Sequence, residues 1–103
     1  MAEVKVNPGI CGLETTITVT SEMDTASIII SSQCPSVQKM QDELMDIDCL
    51  EECFSKLGTS RVYKAAEKHC KHVGCPVPAA IIKGLEVACG YALPKNVEFK
   101  ISK

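Results

Sequence analysis

Seven cysteines and two histidines in 103 residues are the side chains best suited to hold a soft metal ion or attack an electrophile. Cys34 and Cys75 each stand directly before a proline, where a loop gives way to a predicted helix. A sulfur at such a point faces unpaired backbone N–H groups and the positive end of the helix dipole, and both favour thiolate. Proline removes one donor and fixes the chain direction, so the thiol is held in place. Cys11 lies in Pro8-Gly9-Ile10-Cys11-Gly12, where glycines let the backbone approach a bound group closely. His69, Cys70, His72 and Cys75 offer four soft or borderline ligands within seven residues. Adjacent helical residues diverge by about 100°, which leaves His72 with Cys75, or His69 with His72, as the workable pairs.

Three functions are compatible with this inventory. In the first, Cys11, Cys34 and Cys75, joined by Cys70 and His72, bind zinc or an iron–sulfur cluster. In the second, Cys75 or Cys34 is the nucleophile of a thiol-dependent redox or transfer protein, with Lys64, Lys68 and Lys71 supplying positive field to Cys75. In the third, the chain is a plain interaction domain whose cysteines pack. No C-x-x-C occurs, which counts against a ferredoxin, a zinc ribbon and a thioredoxin-like pair. Cys49 and Cys53, at i and i+4, suit either a metal or packing beside Leu50, Phe54 and Leu57, and Cys89 falls on an apolar helical stripe. There is no Ser-His-Asp order, phosphate loop, catalytic carboxylate pair or dinucleotide fingerprint.

These residues must be carried by a small number of elements. Val4 and Val6 alternate with Glu3 and Lys5, Ile17 and Val19 alternate with threonines, and Ala26–Ser32 reads as a third strand. Val97, Phe99 and Ile101 alternate with Glu98, Lys100 and Ser102 and predict a last strand. Between them the period becomes helical. Val37, Met40, Leu44 and Ile47 define one helix, and Asp48 with Glu51 suggests a capping box for a second over Cys49–Leu57. Thr59 or Ser60 caps a third, and Pro78 opens a fourth that carries Ile81, Leu85, Ala88 and Cys89. The order β-β-β-α-α-α-α-β predicts a single α+β domain over residues 1–103. It would form two layers, with helices on one face of a mainly antiparallel sheet of three to four strands. A meander of the first three strands would bring Cys11 and Cys34 to one edge, within reach of the Cys75 loop.

Composition narrows the setting. No apolar run approaches the ~20 residues of a membrane span, and the start lacks a signal-peptide pattern, so a cytoplasmic protein without membrane association is expected. Thiols stay reduced there, and seven cysteines cannot all pair, so structural disulfides are not expected. Residues 1–53 carry ten acids and two lysines, −8, whereas residues 54–103 carry nine bases and three acids, +6. Such asymmetry suits facing helices within one fold, or a homodimer or protein partner. Basic residues without interleaved aromatics argue against nucleic acid.

Asn7-Pro8-Gly9-Ile10-Cys11-Gly12, Cys34-Pro35 and Cys75-Pro76-Val77-Pro78-Ala79-Ala80 together resemble a small cysteine-containing family, a domain of unknown function, from archaea and anaerobic bacteria. The resemblance spans most of the chain and carries no activity. It implies that Cys11, Cys34 and Cys75 are the positions of interest, in an anaerobic cytoplasm.

Overall fold

A computed structural model describes residues 1–103. The elements run β1 (Ala2–Val6), β2 (Thr15–Glu22), β3 (Thr25–Ser32), α1 (Pro35–Gln38), a 3-10 helix over Lys39–Glu43, β4 (Ile47–Asp48), α2 (Cys49–Phe54), α3 (Arg61–His69) and α4 (Val77–Ala88). The strands form one antiparallel sheet in the order β1-β2-β3-β4. The predicted alternation sets its faces. Ile17, Val19, Ile28 and Ile30 point into the core, while Thr16, Thr18 and Thr20 stay at least partly in solvent. Rows of the register run Val4–Ile17–Ile30 and Ala2–Val19–Ile28 across the sheet.

Helix α4 covers β1 and β2, and the helical side contributes Met40, Leu44, Val62, Ile81 and Leu85 to a core that is almost wholly aliphatic. Gly84 allows the close approach of α4, because a Cβ there would stand 3.0 Å from Val4 Cγ2 and 3.2 Å from Val19 Cγ2. At its C-terminal end, Ser21 Oγ donates to the Ala88 carbonyl at 2.6 Å, which fixes that end beside the start of β1. Helix α3 begins as expected at Ser60, whose Oγ accepts from Tyr63 N.

Two segments depart from the expected layout. The helix predicted through Ile47 is only one turn of α-helix and a 3-10 turn, because its polar side chains are used to finish the sheet. Gln38 accepts from Ser32 N and donates to the Ile30 carbonyl, and Gln41 accepts from Ile30 N and donates to the Ile28 carbonyl. These amides stand in for a neighbouring strand along the part of β3 that β4 does not reach. Asp46 then turns with φ 53°, and Ile47 enters β4. The fourth strand is therefore Ile47–Asp48, not the segment at residues 97–101. That segment has no regular structure, and Phe99 and Ile101, on the apolar face of the predicted last strand, are 73% and 90% exposed. Its alternation specifies a strand face, but within the single chain it pairs with no strand.

Candidate functional site

Three of the cysteines singled out by the sequence gather at one side of the core. Cys34 is the residue before α1, in extended conformation, its N–H bonded to Ser32 Oγ at 3.0 Å and Pro35 opening the helix. Cys70 ends α3, where the chain turns extended and its thiol donates to Met40 Sδ at 3.5 Å. Cys75 follows a short turn in which its N–H bonds the His72 carbonyl. Burial pushes the Cys70 thiol up to about 11, and the sulfurs of Cys75 and Cys34 nearby add to the rise. A thiol in that state is a packed neutral group at pH 7, with Met40 as its soft neighbour.

The remaining predicted ligands lie elsewhere. Cys11 is exposed in a turn closed by the Gly12 N–H to Gly9 carbonyl bond, with Gly9 and Gly12 both at positive φ. His72 is exposed. His69 is occupied by Glu43, Nε2 to Oε2 at 2.7 Å, and Lys68 Nζ reaches the other oxygen at 3.4 Å. Desolvation acts to raise the Glu43 carboxyl, but the His69 and Lys68 contacts outweigh it and hold it below its ordinary value.

No group of three or more His, Cys, Asp or Glu side chains is arranged to hold a metal ion. This corrects the metal-binding reading, zinc and iron–sulfur cluster alike. Of the expected ligands only Cys34, Cys70 and Cys75 come together: Cys11 and His72 are exposed, His69 is bonded to Glu43, and the Cys70 thiol donates to Met40 Sδ.

The cysteines read as free include one structural pair. Cys49 and Cys89, 40 residues apart, form a disulfide with Cα atoms 6.1 Å apart. This corrects the expectation of no structural disulfide. An odd count excludes complete pairing, not one bridge, and only the packing of α2 on α4 shows which two meet. The other five cysteines are free. Cys53, one turn along α2, is also raised to about 11, by burial first and then by the carboxylates of Glu86 and Glu52.

Around this bridge the sequence reading missed a surface. Helix α2 buries Cys49 and Glu52 and presents Leu50 and Phe54 to solvent, with Leu57 beyond its end 80% exposed. Glu52 is turned inward to accept from the N–H groups of Arg61 and Val62, at 3.0 and 2.7 Å, which no residue of α3 satisfies. Phe54 packs edge-to-face on Tyr91, itself partly exposed, with ring centroids 5.0 Å apart. Leu50, Phe54 and Leu57 at i, i+4 and i+7 gave a real signal of an apolar stripe. Periodicity alone cannot say whether such a stripe meets the core or the solvent.

The chain belongs to the family of unknown function DUF6951, whose pattern matches residues 2–101. No curated protein and no solved structure matches it.

Proposed function

We propose that this DUF6951 member is a small protein-interaction module whose cysteines serve its structure. The observation that carries this reading is the inversion of α2, which holds a carboxylate inside and sets Leu50 and Phe54, with Leu57 just beyond, in water. Contiguous exposed apolar side chains of this kind mark docking surfaces. The disulfide and the Phe54–Tyr91 pair hold this apolar band and the end of α4 in fixed relation. Such rigidity lowers the ordering cost of binding. Asp48 and Glu51 are exposed beside the band, so a partner with apolar anchors flanked by Lys or Arg fits it. No helix is long and apolar enough to cross a membrane.

The test compares stoichiometric co-purification by the wild-type chain, Phe54→Asp, and Val73→Asp as an exposed apolar control in the connection between α3 and α4. A partner retained by wild type and Val73→Asp but lost by Phe54→Asp, at unchanged melting temperature, supports the reading. The same proteins with all three, or none with any, refutes it.

A second reading, thiol–disulfide exchange, draws on the sulfurs of Cys34 and Cys75 beside Cys70. With oxidised glutathione as oxidant, the Cys75 thiolate forms a mixed disulfide and expels one glutathione thiolate. Cys70 then loses its proton and displaces the second, leaving a Cys70–Cys75 disulfide and two reduced glutathiones. Mass spectrometry would find that bridge in wild type and not in Cys75→Ser. Formation no faster than glutathionylation of Cys11 would remove this reading.

A further inference from the structure

The two edges of the sheet are treated differently. Beyond β4, the edge of β3 is closed by the Gln38 and Gln41 amides and by the Ile28 N–H to Leu44 carbonyl bond. The edge of β1 has no strand, side chain or loop bonded along it. An open edge displays unpaired N–H and C=O groups and is a template for another strand. Ala2 and Val6 are buried on that strand, but Val4 between them keeps an open flank. In the row Val4–Ile17–Ile30 the two inner residues are closed off and Val4 is only half-buried.

The same molecule carries a strand without a sheet. Residues 93–103 follow α4 as an irregular, exposed arm, on which Val97, Phe99 and Ile101 alternate in sequence with Glu98 and Lys100. Edge and arm have the same grammar. With Phe99 opposite Val4 in antiparallel register, Ile101 meets Ala2 and Val97 meets Val6 on the core face. On the solvent face Lys100 meets Glu3 and Glu98 meets Lys5.

The route of the chain decides whose arm fits. The Ser21–Ala88 bond puts the C-terminal end of α4, from which the arm departs, at the Ala2 end of the sheet. An arm running from there along its own β1 is parallel to it, and the same register would set Glu98 beside Glu3 and Lys100 beside Lys5. A second copy related by a two-fold axis presents its β1 in the opposite direction, which makes the pairing antiparallel and every facing charge opposite. We propose that the arm at residues 96–103 of one copy adds as a strand to the β1 edge of a second copy, reciprocally, in a closed homodimer with a continuous sheet. This surface is separate from the α2 band.

Sedimentation equilibrium on the full chain tests it. Wild type is expected to be dimeric. Phe99→Asp, which buries a charge at both symmetric contacts, should raise the dimer dissociation constant a hundredfold or more while keeping the circular dichroism of the folded monomer, an effect of roughly the size expected from losing two buried aromatic contacts. Lys5→Glu and Glu98→Lys should each weaken it about tenfold, and the double variant should restore it, as facing charges on paired strands require. Phe54→Asp should leave the dimer intact. A monomeric wild type overturns the proposal, as does a dimer indifferent to Phe99→Asp or one broken by Phe54→Asp. A dimer sensitive to Glu98→Lys but not to Lys5→Glu also overturns it, since that pattern means arm-to-arm pairing.

Discussion

Replacing Glu52 by Ala should cost this domain several kcal/mol, although the residue is an acid on a short helix. Its two oxygens accept the N–H groups of Arg61 and Val62, and the side chain is only 6% exposed. The first N–H groups of a helix have no partner of their own, and Ser60 provides for Tyr63 alone. A hydrogen bond to a charged group contributes about 1.5–3 kcal/mol. Two of them, less what water recovers at the partly open Arg61, give about 3–5 kcal/mol for Glu52→Ala. Glu52→Gln keeps one acceptor and turns an NH2 toward an N–H, so about half of that loss is expected. Against a total stability of about 5–15 kcal/mol, the Ala variant is near the limit of folding. Urea titration followed by far-ultraviolet circular dichroism measures it, with an unchanged m-value confirming that the midpoint shift reports stability. At about 4–8 °C per kcal/mol for a domain of this size, the melting temperature should fall by at least ~12 °C. A loss below about 1 kcal/mol for Glu52→Ala would refute the view that the carboxylate is inside for the sake of α3.

Three further outcomes follow from the geometry. Cys49→Ser with Cys89→Ser opens a loop of 40 residues and should lower stability by about 4 kcal/mol on the chain-entropy estimate, read by calorimetry with and without reductant. Gly84→Ala should cost about 1 kcal/mol and Gly84→Val about 3 or more, because Val4 and Val19 already stand where a Cβ would go; unchanged melting of the valine variant would contradict this packing. Iodoacetamide should label exposed Cys11 first, while Cys53 and Cys70, held at about 11 against an ordinary 9.0, stay unlabelled in the native protein below that range. Because their thiols lose protons more readily in the unfolded chain, the stability they contribute is complete below pH 9 and is lost as pH rises toward 11.

The first half of the fold is legible because alternation and burial coincide there. Val4, Ile17, Val19 and their intervening polar residues specify the faces of β1 and β2 without help from the rest of the chain. Caps were equally readable: Asp48 accepts from Glu51 N, and Ser60 from Tyr63 N, as short-range chemistry requires. What failed depended on long-range partners. Gln38 and Gln41 look like the solvent face of a helix, yet they spend both ends of their amides on β3. Leu50 and Phe54 have the spacing of a core stripe, but the inward place was taken by Glu52, whose reason lies nine residues on. Val97, Phe99 and Ile101 have the alternation of a strand, yet they form none within this chain and lie exposed, because alternation names a face without naming the partner that must cover it. For the cysteines, spacing drew attention to Cys34, Cys70 and Cys75, while the pair that bonds, Cys49 and Cys89, has no sequence pattern at all.

The amides at Gln38 and Gln41 have a chemical future that differs from that of the charged residues which usually guard sheet edges. They are neutral at every pH the fold survives, so neither acid nor salt loosens them. Deamidation, however, exchanges an NH2 donor for an oxygen. At Gln41 that oxygen would face the Ile28 carbonyl, now a hydrogen-bond acceptor at 2.6 Å, and attraction would become repulsion. The middle of β3 would then stand uncovered beside α1. Slow ageing of one glutamine would give the sheet a second open edge, and a molecule shaped to admit one added strand would become able to admit two.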